Sequence, residues 1–147
     1  SGTPQEAYSL AFKYAGPHMW FFELNGAWMN RAYVDLSPVR HEALPDLWKV
    51  CSSEAELEQR LREISTQDKF NEALVINMSL GKLIYLSRSA SLNLNLSINN
   101  LLDNRNIQTG GYQQGRFDYK NFSTTKYPNK YYYAQGIRIF VNAGVRF

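Results

Sequence analysis

The final stretch of the chain, residues 131–147 (YYYAQGIRIFVNAGVRF), alternates apolar and polar side chains over a long distance. From Ile137 onward every odd position is apolar, and the even positions are polar or small except for Phe140. Because successive side chains of a strand point to opposite faces, the pattern predicts one strand with an apolar face and a wet face. Its length, with tyrosines at one end and Phe at the other, is typical of a strand that crosses an outer membrane.

Four further segments alternate in the same way and are predicted to be strands near 6–15, 19–36, 71–86 and 90–102. In the cleanest alternation, at 92–99, leucine or isoleucine alternates with asparagine or serine. A row of asparagines would be unusual in the core of a soluble protein, but it suits the water-filled lumen of a barrel. We therefore expect one set of polar residues to face a lumen: Asn93, Asn95, Asn99, Arg138, Asn142 and Arg146.

Short turns and long loops alternate between these strands. The short turns are predicted at Gly16-Pro17-His18, where Gly permits a positive φ and Pro cannot continue a ladder, and at Ser87-Arg88-Ser89. The long loops are predicted at 37–70 and 103–130. In such a meander both short turns lie on one side and both long loops lie on the other.

A short helix is expected inside the first long loop. Ser53 and Glu56 fit a capping box, and Leu57, Leu61 and Ile64 follow at helical spacing. The remaining charges of this segment predict a solvated helix rather than an acid–base pair. They are Glu54, Glu58, Glu63, Arg60 and Arg62.

The predicted fold class is all-β, an antiparallel up-and-down meander of about five long transmembrane strands within a single segment, residues 1–147. Five strands cannot close around a lumen, since barrels of this kind begin at about eight strands. The chain is therefore expected to form part of a larger outer-membrane β-barrel. Both edges of the sheet, near Tyr8 and from Tyr131 onward, then need partner strands.

Composition excludes several other classes. A net charge of +3 and the lack of any Lys/Arg-rich run argue against a nucleic-acid partner. The single cysteine, Cys51, excludes an internal disulfide and a multi-cysteine metal site, and we expect it to be a packed or tolerated loop residue. The two histidines, His18 and His41, have no second ligand at metal spacing and are expected at the surface. No catalytic residue, cofactor or metal is predicted.

Several motifs in the second half of the chain carry a family resemblance. They are NNLLD at 99–103, GGY at 110–112, QGRFDY at 114–119, YPNKYY at 127–132 and the terminal GVRF at 144–147. With WFF at 20–22 and AYVDLSP at 32–38, they resemble the C-terminal end of TonB-dependent outer-membrane receptors. The resemblance is most specific over residues 97–147.

The resemblance implies that the chain supplies roughly the last five strands of a barrel of about 22 strands with a plugged lumen. Such receptors lie in the outer membrane of Gram-negative bacteria and import a metal chelate, a cofactor or an oligosaccharide. The implied partners are outer-membrane lipid, the rest of the barrel and its plug domain, the barrel-assembly machinery, and TonB through N-terminal parts outside this sequence. The terminal Phe147, with apolar residues at alternate positions, is similar to the family's barrel-assembly signal.

The second long loop supplies the candidate ligand-binding residues Arg116, Asp118, Tyr119 and Lys120. Charges and aromatics in an outer loop suit a sugar or a chelate, although the same residues can serve loop packing. Tyr131, Tyr132 and Tyr133 could stack on a ligand, but an interfacial girdle or packing at the strand end is the favoured interpretation.

Two other functions remain open. One is a soluble or surface-attached β-rich binding module, similar to a lectin or an adhesin, in which other elements of the chain would have to cover the apolar face. The other is an outer-membrane barrel enzyme, which would need a nucleophile, a histidine and an orienting group brought together. The two isolated histidines make the enzyme the weakest alternative.

Overall fold

The computed structural model describes residues 3–42, 44–121 and 123–147. The domain prediction 1–147 therefore includes Ser1, Gly2, Ala43 and Phe122, which lie outside the described residues. The chain forms two units, a sheet unit and a loop unit. The sheet unit comprises Gln5–Asn30, Glu72–Ile107 and Ala134–Phe147, and the loop unit comprises Ser1–Pro4, Arg31–Asn71 and Gln108–Tyr133.

The sheet unit is built on five antiparallel strands. They are β1 (Glu6–Gly16), β2 (Trp20–Asn30), β3 (Ala73–Tyr85), β4 (Ser91–Asn99) and, later in the chain, Arg138–Arg146. Each strand pairs with the one before it, so these strands form an antiparallel meander as predicted. Two additional strands, β5 (Gln108–Tyr112) and β6 (Lys130–Tyr133), form a separate antiparallel pair in the loop unit, and the last strand is therefore β7.

The registers align the strands so that like residues share a face. Side chains at even positions of β1 to β4 and at odd positions of β7 lie on one side, which we call the apolar face. The alternate positions form the polar face. Rows of directly paired residues cross the sheet, for example Phe22, Leu80, Leu96 and Val141 on the apolar face.

Both short turns were predicted correctly, but the backbone of the first differs from expectation. Gly16 has φ −91°, whereas His18 and Met19 have φ of 58° and 59° and take the left-handed conformation. In the second turn Ser87 holds the chain, because its Oγ accepts hydrogen bonds from the backbone N–H groups of Ser89 and Ala90.

The prediction of one continuous strand over 131–147 was wrong, because this segment contains parts of two separate strands. Residues 130–133 pair with β5, and the sheet strand begins only at Arg138. Between them, Gln135 accepts a hydrogen bond through its carbonyl from Asn100 Nδ2 at 3.1 Å, and the Ile137 N–H donates to Asp103 Oδ1 at 2.8 Å. These bonds to the turn after β4 take the backbone out of strand pairing.

Two other strands end earlier than predicted. The strand expected over 19–36 ends at Asn30, because Arg31 has φ 56°. The strand expected over 90–102 ends at Asn99, because Asn100 has φ 55° and its side chain is committed to the following turn. There Asn100 exchanges hydrogen bonds with the backbone of Asn104, through Oδ1 at 3.1 Å and through Nδ2 at 3.0 Å.

The loop unit contains the predicted helix and two shorter helical segments. The helix α1 spans Pro38–Glu42, a 3-10 segment spans Leu44–Lys49, and α2 spans Glu54–Ser65. The core of this unit consists of Leu47, Ile64 and Phe117. Val39, Cys51, Leu57 and Leu61 pack against that cluster, so both the helical spacing and the packed cysteine are confirmed.

The start of α2 is capped by Ser53. Its Oγ accepts a hydrogen bond from the Glu56 N–H at 3.2 Å, while Glu56 Oε2 accepts one from the Ser52 N–H at 3.0 Å. The predicted cap is therefore present, with the reciprocal bond made to Ser52 rather than to Ser53 itself. Both bonds satisfy amide groups that have no partner inside the helix.

Ser53→Ala is expected to destabilise α2 by about 1 kcal/mol, because the Glu56 N–H loses its acceptor. Hydrogen exchange of the first-turn amides of α2 should accelerate about fivefold. Ser52→Ala is the matched control, since Ser52 contributes only its backbone N–H to the cap and the substitution keeps it. Equal exchange rates in the Ser53→Ala and Ser52→Ala proteins would contradict the assigned cap.

Candidate functional site

No residue at the strand positions of the apolar face is buried, and the edge strands β1 and β7 are its most exposed part. Leu10, Val141 and Tyr8, on the two edge strands, are 81%, 77% and 67% exposed, which is far more than a soluble core would leave. Only two charged residues occupy the strand positions of this face, Glu6 at the start of β1 and Lys82 near the end of β3. The face is therefore a continuous apolar surface with polar groups at its two ends.

Aromatic side chains of the apolar face gather near both ends. Tyr8 and Trp28 are directly paired, with ring centroids 5.6 Å apart, two residues from the Glu6–Asn30 end. At the short-turn end Tyr14 pairs with Phe22, and Trp20 is the first residue of β2. The middle of the face is aliphatic, apart from Phe12.

The polar face carries all the residues that were predicted to face a lumen. The registers place Asn95 opposite Asn142, and Asn99 opposite Arg138. Across β1 and β2, Lys13 Nζ lies 3.5 Å from Glu23 Oε2. Asn93, Asn95, Asn99, Arg138, Asn142 and Arg146 thus share one face, and that part of the expectation is consistent with the sheet.

One close approach shapes the polar face. A Cβ atom added at Gly81 would lie 1.9 Å from Phe21 Cζ and 2.7 Å from Asn95 Oδ1. The Phe21 ring therefore rests on the backbone of the neighbouring strand. Any larger residue at position 81 would displace it.

The loop unit contains a buried polar network that the sequence did not reveal. The Arg40 guanidinium, 2% exposed, donates through Nη1 to Asn129 Oδ1 at 2.8 Å and through Nη2 to the Tyr127 carbonyl. Asn129 Nδ2 in turn donates to Asp68 Oδ2, which also accepts from the Tyr131 hydroxyl at 2.8 Å. The network joins α1, the segment before β3 and the β6 strand.

Burial and neighbouring charge shift the pKa values of two groups in this network, Arg40 and Tyr131. Burial lowers the pKa of the Arg40 guanidinium, and the nearby Asp68 carboxylate opposes that shift. Burial also raises the pKa of the Tyr131 phenol, and its hydrogen bond to Asp68 adds to the increase. Tyr131 therefore stays protonated at physiological pH, and its hydroxyl donates a hydrogen bond to Asp68 Oδ2. A cavity of about 290 Å³ adjoins the network, and its lining includes Arg40, Asp68, Asn129 and Tyr131.

The four candidate ligand-binding residues of the second long loop differ in exposure and in hydrogen bonding. Arg116, Tyr119 and Lys120 are exposed. Asp118 is buried, and its carboxylate accepts hydrogen bonds from Asn121 Nδ2 and from the Lys120 and Asn121 N–H groups. The bond from Asn121 is the main cause of a lowered Asp118 pKa. Asp118 thus holds its own turn together, which leaves the other three residues as the accessible ones.

The three adjacent tyrosines also divide between roles. Tyr131 packs edge-on against Phe70, with ring centroids 6.3 Å apart, and bonds to Asp68. Tyr132 lies against Tyr112 across the β5–β6 pair at 6.1 Å. Tyr133 is exposed. The side chain of Tyr131 is therefore used in packing at the strand end, as the favoured interpretation expected.

His18 is exposed as predicted, but His41 is not a simple surface residue. His41 is half-buried, and its Nε2 atom has no hydrogen-bond partner within the described part of the chain.

Neither a metal site nor a membrane-spanning helix is found in the described part of the chain. Over residues 3–42, 44–121 and 123–147, no group of three His, Cys, Asp or Glu side chains is placed to hold a metal ion. Among the same residues no helix has the length and apolar content to cross a membrane.

Comparison with known proteins adds no identity to these observations. No protein-family model, no curated protein and no solved structure matches the chain.

Proposed function

We propose that the five-stranded sheet is a section of the wall of an outer-membrane β-barrel, and that the barrel is a TonB-dependent receptor that imports a nutrient. The observation that carries this proposal is the continuous, exposed apolar face. Lipid contacts that face, and the polar face lines the lumen and meets the plug domain. The motifs at 99–119, 127–132 and 144–147 support the receptor family.

The height of the apolar face matches the thickness of the hydrocarbon layer that a membrane barrel must cross. Glu6 pairs with Asn30 at one end of β2, and Lys82 pairs with Trp20 at the other. Ten residue steps at about 3.3 Å span roughly 33 Å along the strand. A strand tilt of about 40° reduces this to about 25 Å, the height of the apolar band on outer-membrane barrels. The aromatic residues near both ends match the girdles at the two membrane interfaces.

The edges of the sheet support membership of a larger barrel. Within the described residues β1 pairs only with β2, and β7 pairs only with β4, so each presents one row of backbone groups without a strand partner. Such groups cannot remain unpaired in hydrocarbon, which requires neighbouring strands on both sides. The resemblance sets the total at about 22 strands, with TonB engaged through other parts of the receptor and the terminal residues engaged by the barrel-assembly machinery.

The exposed loops supply the outer surface of the proposed receptor. Arg116, Tyr119 and Lys120 are exposed in the second long loop, and in the proposed receptor they contact a metal chelate, a cofactor or an oligosaccharide. The alternative of a soluble or surface-attached binding module is less well supported. It requires the apolar face to be covered, whereas Leu10 and Val141 are among its most exposed residues.

Cysteine labelling on intact cells tests the proposal, because the proposed barrel requires the β4–β7 connection and the β3–β4 turn to lie on opposite sides of the membrane. Lys120→Cys in the second long loop and Ser89→Cys in the β3–β4 turn are introduced separately into a Cys51→Ala background. Both positions are exposed in the fold. A membrane-impermeant maleimide should label position 120 on intact cells and position 89 only after the outer membrane is permeabilised.

Equal labelling of both positions on intact cells would favour the surface-attached module and overturn the barrel. Labelling of neither position before lysis would also overturn it. The import step is tested separately, since uptake through a TonB-dependent receptor should stop when the proton gradient of the inner membrane is collapsed, while the labelling pattern persists.

A further inference from the structure

Lys82 is an exception on the apolar face. It is the only basic residue among the strand positions of that face, with Leu80 and Ile84 beside it on β3. Its ammonium lies 4.5 Å from the centroid of the Trp20 ring. Within the described residues no hydrogen bond or ion pair joins this ammonium to a protein oxygen. A half-buried cation with three N–H donors is thus held against a ring, without an acceptor among the described residues.

The position of Lys82 explains how the charge can be tolerated. Trp20 is the first residue of β2, and Lys82 pairs with it three residues before the end of β3. Both lie at the short-turn end of the apolar face. The ammonium of a long lysine side chain can reach the polar layer of a membrane from such a position, while its methylene groups stay on the apolar surface. A tryptophan at the same depth is typical of a membrane interface.

A shallow groove adjoins this pair on the apolar face. Its volume is about 220 Å³, and its lining is predominantly apolar. The lining side chains of the apolar face are Trp20, Leu80, Lys82, Leu94, Leu96 and Val141. A positive group at one end of an apolar groove is complementary to a molecule with an anionic head and a hydrocarbon tail.

We propose that Lys82 and Trp20 bind the phosphate of a phospholipid, whose acyl chain lies in the adjoining groove. This inference rests on the proposed function, because it requires the apolar face to meet lipid. The phosphate supplies the negative charge and the acceptor oxygens that Lys82 lacks, and the Trp20 ring fixes the ammonium at the depth of the headgroups. The site lies on the short-turn side of the membrane.

The test compares lipid binding by the protein that carries this chain and by its Lys82→Met variant, which keeps a long apolar stem and removes the charge. Each is purified in a mild detergent, mixed with dioleoylphosphatidylglycerol, and bound lipid is counted by native mass spectrometry. We expect the apparent affinity of the variant to fall about fivefold. Dioleoylglycerol, which has the same tails and no phosphate, should bind both proteins equally.

Two variants and one competitor sharpen the comparison. Lys82→Arg should retain the affinity, and Lys13→Met removes a lysine of the polar face and should leave it unchanged. Equal phosphatidylglycerol binding by the wild type and Lys82→Met overturns the inference, as does an equal loss in Lys13→Met. Displacement of the lipid by millimolar inorganic phosphate would assign the site to free phosphate and also overturn it.

The outcome also separates this inference from the proposed function. If the protein enters vesicles and shows the expected cysteine labelling while Lys82→Met leaves its lipid affinity unchanged, it is an outer-membrane barrel without this lipid site. A protein that stays monomeric in buffer without detergent and takes up no lipid contradicts the barrel, and the lipid site is then rejected with it.

Discussion

Val141→Arg is expected to reduce the free energy of unfolding of the protein in a bilayer by about 2–4 kcal/mol. Val141 lies in the middle of β7 on the apolar face and is 77% exposed, so in the proposed barrel the new guanidinium would enter hydrocarbon near the membrane midplane. This is the range by which Arg or Lys destabilises outer-membrane barrels at that depth. Denaturant titration of the protein reconstituted in phospholipid vesicles measures the loss.

Asn142→Arg is the matched control for this prediction. It places the same side chain one position along the same strand, on the polar face opposite Asn95. If that face lines an aqueous lumen, the change in the free energy of unfolding should be close to zero. Equal effects of the two substitutions would mean that the two faces meet similar surroundings, and the barrel would be rejected.

Leu47→Ala is expected to destabilise the loop unit by about 2–5 kcal/mol, because Leu47 is completely buried against Ile64 and Phe117. The lost methyl groups leave a cavity, whose cost adds to that of the lost apolar burial. Hydrogen exchange of the α2 amides over Glu54–Ser65 measures the effect, and their protection should fall by at least roughly 30-fold.

Leu36→Ala provides the comparison within the same unit, since Leu36 is 47% exposed. Its exchange pattern should remain within about twofold of the wild type. Similar losses of protection in both variants would show that the Leu47 cluster is not the core of the loop unit.

The strands and their faces were predictable because the signal that defines them is local. Alternation with a period of two appears in the sequence itself, and the registers then follow from matching apolar rows. The caps and turns at Ser53 and Ser87 were predictable for the same reason, since a side chain bonds to backbone groups two or three residues away.

The features that were missed depend on contacts between distant parts of the chain. The break before β7 is set by Asn100 and Asp103, and the only local sign of it within residues 131–147 is Gly136, where an added Cβ would lie 2.2 Å from Asp103 Oδ1. Arg40 and Asn129 are 89 positions apart, and no spacing rule joins them. Lys82 is different, because it interrupts the even-numbered apolar series of β3 and could have been identified from the pattern.

The strict alternation within β4 has a consequence for how such a chain travels through a cell. In SLNLNLSIN no two apolar residues are adjacent, so the strand has little hydrophobicity when its residues are taken in sequence. Its apolar surface arises only when the backbone is extended and the leucines align on one side. Translocation machinery that retains long apolar helices would let this segment pass. The residues that would face the lipid of the proposed barrel after folding thus give no continuous apolar signal before folding.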